Sequence, residues 1–239
     1  MPLTGSGFLC LWNDFDESRA EEYERWHSLE HVPERVAAPG FLSGRRYGDF
    51  ARSESRYMTL YDLQSLAALD TPDYAELQRE PTPWSAKMRP HFRNFLRLPC
   101  ATLASEGTGC AGQVGTLALS LGNGSAASDG VILDLLREGL AEQRTSAFHL
   151  GRADRIPAYG VFASPELSEP GRHHLVVLQE ATTEAGAQRA VADLLARITA
   201  LDAGVRVLRR ECSSLLFSVA RDEVVPRWQR RPAASAQQA

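Results

Sequence analysis

The residues best able to do chemistry crowd into one stretch, Tyr23 to Tyr47, which reads YERWHSLEHVPERVAAPGFLSGRRY. Within it, His27-Ser28-Leu29-Glu30-His31 sets two imidazoles one helical turn apart with a carboxylate between them. An unperturbed imidazole gains or loses its proton near neutral pH, so this pair could serve as general base and acid. The same five residues match H-x-x-E-H, a short zinc-site signature in which two histidines bind metal and the glutamate acts as base. Pro33 weighs against zinc, because that site needs a sound helix and proline removes a backbone donor. No third-ligand carboxylate stands out among Glu54, Glu76, Glu80 and Glu106, so no metal is expected.

A helix must carry these groups. On a wheel of about 100° per residue, Leu29, Trp26, Glu30, Tyr23, His27 and His31 fall in order around one face. Arg25, Ser28, Glu24 and Glu21 fall on the other. Glu30 and His27 then project with the apolar stripe, and His31 lies at its edge. A carboxylate and an imidazole on a buried face need partners, so they either satisfy each other or serve a substrate. The nearest cations are Arg35, Arg45 and Arg46. Arg45 and Arg46 are adjacent on a strand and face opposite sides, and the pattern alone does not choose which enters a pocket beside the helix. Tyr23, Trp26, Tyr47 and Trp84, with His91, are candidates to wall that pocket. His149 and the His173-His174 pair sit in strand-like runs and read as structural.

The surrounding elements follow from periodicity and punctuation. Gly7 to Trp12 is a buried-strand pattern, and the helix bearing the histidines runs to about Val32 before a kink or stop at Pro33. Strands are expected at 41–50, 56–61 and 92–98, with Thr71-Pro72 and Thr82-Pro83 opening two helical pieces. That order is β-α-β-β-α-β. It then repeats in outline. Strands at 115–121, 147–150, 174–178 and 205–219 alternate with helices at 129–143 and 183–201. The last helix places Val191, Leu194, Leu195 and Ile198 on one face. The fold class expected is α+β, with two ferredoxin-like units in one chain forming a pseudo-dimeric barrel. The first unit spans 1–104, a Gly-rich linker 105–112, the second unit 113–225, and a disordered tail 226–239.

The totals narrow the function. The chain has 239 residues, 44% hydrophobic and 23% charged, with a net charge of −4 and no long basic run. Nucleic acid is therefore not an expected partner, since phosphate binding needs clustered positive charge. No apolar run approaches the ~20 residues that span a bilayer, so no membrane contact is expected. The N-terminus lacks a charged region followed by a long apolar one, and no signal peptide is expected. Four scattered cysteines read as reduced thiols, which places the protein in the cytoplasm. No P-loop, GxGxxG or GxSxG motif occurs.

Trp26-His27, Glu30-His31-Val32-Pro33-Glu34-Arg35, Pro39-Gly40-Phe41 and Arg45-Arg46-Tyr47 resemble the EthD-like branch of the dimeric α/β-barrel superfamily over about residues 5 to 100. The resemblance implies a pocket lined by the first helix and the sheet. It also implies a range of chemistries: cofactor-free isomerases, cyclases, dehydratases and lyases, quinone-forming monooxygenases, and haem enzymes. The second half lacks the histidine run, so only one of two pseudo-equivalent pockets keeps it. The expectation is a cofactor-free lyase, dehydratase or isomerase acting on a small aromatic or carbonyl compound in catabolism or secondary metabolism, as a homodimer. His27 and His31 would exchange protons, Glu30 would orient an imidazole, and Arg35 or Arg46 would hold an anionic oxygen. The alternatives are a haem enzyme with one of these histidines, His149 or His174 as axial ligand, and a non-catalytic ligand-binding barrel.

Overall fold

The structure is a computed structural model and describes residues 2–52, 54, 56–153, 167 and 169–225. Eight strands form its frame: β1 (Gly7–Phe15), β2 (Phe41–Gly48), β3 (Tyr57–Leu63), β4 (Phe92–Gly107), β5 (Gln113–Gly122), β6 (Ala147–Ala153), β7 (Arg172–Ala181) and β8 (Arg206–Ala220). They close into a barrel in the order β1-β3-β2-β8-β5-β7-β6-β4. Every pairing is antiparallel, and closure leaves no free sheet edge. The first half contributes β4-β1-β3-β2 and the second β8-β5-β7-β6, joined at the β2–β8 and β4–β6 seams.

Strand alternation sorts the side chains. Phe8, Cys10 and Trp12 of β1 point into the barrel, where they meet Met58, Leu60 and Leu98. Leu9 points outward and packs with Val32, Val36 and Phe41 beneath the helices. The helices are α1 (Ala20–Trp26), α2 (Val32–Val36), α3 (Pro72–Arg79), α4 (Pro83–Met88), α5 (Asp129–Ala141) and α6 (Glu184–Leu201). Thr71 and Thr82 cap α3 and α4, accepting from the Tyr74 and Ser85 backbone N–H groups, with proline at the first helical position of each. Ser128 and Thr183 cap α5 and α6 in the same way.

Two expectations change. Residues 105–107, expected to open a linker, belong to β4, which pairs with β1 up to Ala101 and with β6 from Cys100 to Gly107. A barrel-closing strand needs both edges bonded, and that requirement overrides the local Gly-rich composition. The helix does not stop at Pro33. It continues through a π-helical turn, His27–His31, into α2 with Pro33 in the first turn. The expected tail, 226–239, and most of the Pro-containing loop 156–171 lie outside the described residues. Among the described residues no helix is long and apolar enough to cross a membrane.

Candidate functional site

The π turn sets the geometry of the site. The Val32 N–H donates to the His27 carbonyl, a five-residue step that inserts one extra residue into the turn. That extra residue upsets the α-helical wheel. Leu29, expected at one end of the inward face, is 67% exposed, whereas Tyr23, Trp26 and His27 are buried. Leaving a large leucine in water at this point is the cost of turning His27 and His31 the same way.

Both imidazoles line a cavity of about 280 Å³ between the outer face of the sheet and the helices. Its floor is β1 and β3, which contribute Leu9, Leu11, Asn13, Thr59 and Tyr61. Tyr74 and Gln78 of α3 and Phe92 and Phe95 of β4 form its sides. Three guanidinium groups, Arg35, Arg89 and Arg97, complete the lining, and among the described residues no carboxylate lines it with them. Burial holds both histidines well below the ordinary imidazole value. Arg46 and Arg35 push His27 further down; Arg35, His27 and Arg89 do the same to His31. At neutral pH the pair is uncharged and can accept a proton. The Nδ1 atoms of both rings are buried with no hydrogen-bond partner among the described residues.

The other sequence candidates separate into groups. Arg35 lines the cavity, with Nη1 donating to the His31 carbonyl at 3.1 Å. Glu30 does not orient an imidazole: Oε1 accepts from Thr82 Oγ1 at 2.6 Å and Ser85 Oγ at 3.2 Å, on α4. The Ser85 hydroxyl in turn accepts from Trp26 Nε1 at 3.1 Å. Glu30 is thus a pin between the helices, because the π turn rotates it towards α4. Trp26 backs His31 at a ring distance of 4.4 Å, and Tyr23 backs His27 at 5.0 Å. Neither lines the cavity. Burial raises the Tyr23 phenol to about 12, and its hydroxyl pairs with Asn13 at 3.1 Å.

Alternation on β2 decides between the arginines. Arg46 faces the helices, where Nη1 donates to Glu24 Oε2 at 2.9 Å and Ser28 Oγ at 2.5 Å. Its guanidinium lies 5.2 Å from the centre of the Tyr23 ring. It supports the site from behind without lining the cavity. Arg45 faces the barrel interior and donates to Glu180 Oε1 at 2.8 Å. Tyr47 lies on that interior face too, in the barrel core, and is removed from the pocket by the same alternation. Trp84 donates to Glu22 Oε1 at 3.2 Å on the outer side of α1, and His91 lies 3.7 Å from Asp16. Neither lines the cavity.

Sequence reading missed Asn13, Tyr61, Arg89 and Arg97 as lining residues. The strand signal was there for the first two, since Asn13 and Tyr61 share the outward parity of Leu9. Arg89 and Arg97 lie far along the chain and meet Arg35 only in three dimensions.

Among the described residues the second half shows no matching space. Leu117, Leu119, Phe148, Val177, Leu194 and Ile198 fill the corresponding region between its sheet and α5 and α6. His149 lies in the barrel interior with both nitrogens engaged: Nδ1 is 2.9 Å from Ser105 Oγ and Nε2 is 3.0 Å from Glu180 Oε1. Among the described residues no three His, Cys, Asp or Glu side chains gather as a metal site.

No protein-family model matches the chain, and no curated protein matches its sequence. Solved structures do match its shape. An anthrone oxidase-like protein aligns over 95% of this chain and 98% of its own, with a TM-score of 0.61 at 11% identity. A candidate monooxygenase from Fusobacterium nucleatum subsp. nucleatum aligns over 91% and 95%, with a TM-score of 0.53 at 8% identity. A candidate chlorite dismutase aligns over 90% and 96%, with a TM-score of 0.51 at 12% identity. The chain has the dimeric α/β-barrel fold. At these identities the likeness carries the fold and leaves the chemistry to the residues.

Proposed function

We propose that the protein is an enzyme that moves a proton on a small aromatic or carbonyl compound, with His27 as the base and His31 as its partner. The observation that supports this reading is a pair of uncharged imidazoles on one apolar cavity. A neutral imidazole takes a proton from an acidic C–H or O–H, leaving an enolate or phenolate. Arg35 is placed on the same cavity to hold that oxyanion. The guanidinium groups disfavour a lasting imidazolium, so the proton is handed on, back to the substrate at another atom or to solvent. Return at a second carbon is an isomerisation, and return to a departing oxygen is a dehydration or lysis.

An oxygenation reading shares the first step, and the names of the fold neighbours favour it: an anthrone oxidase-like protein and a candidate monooxygenase. A carbanion formed at His27 would be the species that meets dioxygen. Both readings use the chain's own residues and need no cofactor. The haem reading has less support at this cavity. The cavity of about 280 Å³ falls below the ~300–1,000 Å³ of clefts that hold drug-sized ligands, and a tetrapyrrole is larger than most of those. His149, with both nitrogens bonded, is not free to ligate iron.

We further propose that the two half-barrels, 1–104 and 113–225, are ferredoxin-like units paired within the chain as a pseudo-dimer, and that the first is of the EthD-like kind. Their identical strand orders support the pairing. The test of function is solvent-deuterium exchange and turnover of a panel of enolisable aryl ketones, with wild type set against His27→Ala and His31→Ala. Loss of about 10²–10⁴-fold is expected for His27→Ala. If both variants stay within about threefold of wild type, the acid-base assignment falls.

A further inference from the structure

A second group of chemical side chains lies inside the barrel, on the other side of the sheet from the His27 cavity. Ser105 of β4 and His149 of β6 are cross-strand partners, and Ser105 Oγ is 2.9 Å from His149 Nδ1. His149 Nε2 is 3.0 Å from Oε1 of Glu180 on β7. Two further donors fix that carboxylate: Arg45 Nη1 bonds Oε1 at 2.8 Å and the Ala111 N–H bonds Oε2 at 2.6 Å. Burial pushes the Glu180 carboxyl up, but the bonds from His149, Ala111 and Arg45 hold it below its ordinary value. An ionised carboxylate only accepts, so His149 Nε2 carries the ring proton and Nδ1 keeps its lone pair. The Ser105 hydroxyl therefore donates to Nδ1. Burial lowers the His149 value, which leaves the ring neutral and able to take that proton. Exposure is graded along the relay. Glu180 and His149 are 1% and 0% exposed, whereas Ser105 is half-buried. Ser105 lies near the end of β4 at Gly107, just before the exposed Thr108, Gly109 and Cys110.

We infer that Ser105, His149 and Glu180 form a second reactive centre, in which Ser105 is a nucleophile towards activated esters and thioesters. The inference goes beyond proton transfer at His27 and does not rest on it. A nucleophile, a base within hydrogen-bond reach and a third group orienting the base are the parts such catalysis needs, and geometry identifies them on any fold. In the first step Ser105 Oγ bonds to the acyl carbon as its proton passes to His149 Nδ1. The bond from that carbon to the leaving oxygen or sulfur breaks, and the leaving group takes the electron pair and then the proton. Water next attacks the acyl carbon, giving a proton to Nδ1. The bond to Oγ breaks and Ser105 recovers its hydrogen, so the products are a carboxylic acid and a phenol or thiol. The substrate class follows from what the centre holds. A phenolate or thiolate departs as a stable anion, and nucleophile and base suffice for such esters. Glu180 acts through the imidazole as a positioning residue, fixing its tautomer and answering the charge it gains. A relay that only tied β4, β6 and β7 together would leave Ser105 inert towards an electrophile.

The test is labelling of the folded full chain with a biotinylated fluorophosphonate, located by peptide mass spectrometry, together with turnover of p-nitrophenyl acetate. Folded wild type is expected to take the label at Ser105 about 10²-fold faster than the urea-unfolded chain, and to hydrolyse the ester. Ser105→Ala should abolish both. His149→Gln should slow labelling by about 10²-fold or more. Glu180→Gln should slow it by about tenfold and move the acidic limb of the rate profile to lower pH, because the Glu180 carboxylate raises the His149 value. Should either of these buried variants misfold, folded and unfolded wild type and Ser105→Ala still decide the matter. Absence of label at Ser105 overturns the inference, as does equal labelling of the folded and unfolded chains. Ester hydrolysis undiminished in Ser105→Ala overturns it also.

Discussion

The rings of His27 and His31 stack with centres 4.8 Å apart and planes 23° from parallel. The π turn makes this contact by widening the helix at the residues that carry both rings. Two imidazolium ions at that distance would repel each other, and His27 is among the causes that hold His31 neutral. The stacked pair therefore takes up at most one proton in a catalytic cycle, which suits a shuttle better than two independent bases.

The pH dependence of stability follows from the buried histidines. Their folded values lie below the ordinary imidazole value near 6.5, so below that pH the unfolded chain binds protons that the folded chain refuses. The stability they contribute is present above pH ~6.5 and is lost as the pH falls towards their folded values. Each contributes a slope of about 1.4 kcal/mol per pH unit within that window. His149, also lowered by burial, adds in the same direction. Denaturant unfolding at pH 7.5 and pH 5 should show the loss, and His27→Gln with His31→Gln should flatten it. A profile unchanged by those substitutions would contradict the assignment.

Glu30 is expected to matter for stability and not for chemistry. Glu30→Gln weakens charge-assisted bonds to Thr82 and Ser85 and should cost about 1–3 kcal/mol, while turnover per folded molecule stays within about threefold. A far larger loss of turnover at unchanged stability would place Glu30 in the reaction.

Arg46 should affect both. Arg46→Leu removes the bonds to Glu24 and Ser28 and the contact with Tyr23, at a cost of about 1.5–3 kcal/mol. It also deletes a cation that depresses His27. The His27 value should rise towards 6.5, moving the acidic limb of the kcat/KM profile to higher pH. Imidazole titration by NMR in the wild type and the variant measures this shift.

One ligand should bind per chain. The second half closes the corresponding space with Leu117, Phe148, Leu194 and Ile198. Titration with an aryl ketone that undergoes exchange should give a stoichiometry near one, and Ile198→Ala should destabilise the fold by about 2–5 kcal/mol without adding a site of equal affinity. A stoichiometry near two would show a second competent pocket.

The sequence alone determined the elements and their order, because each was written in local terms. Thr71-Pro72 and Thr82-Pro83 mark helix starts by capping chemistry. The 3.6-residue recurrence of Val191, Leu194 and Ile198 marks the buried face of α6. The histidine run was legible as the chemical centre, and the second half's lack of one as an asymmetry. Tertiary structure decided the rest. Which of Arg45 and Arg46 faces the helices depends on barrel register, and the same register takes Tyr47 into the core. The directions of Leu29 and Glu30 depend on a π turn that a wheel of fixed pitch does not contain. Arg35, Arg89 and Arg97 converge only because β4 closes against β1 and α2 and α3 pack above it, a long-range arrangement that no local pattern encodes.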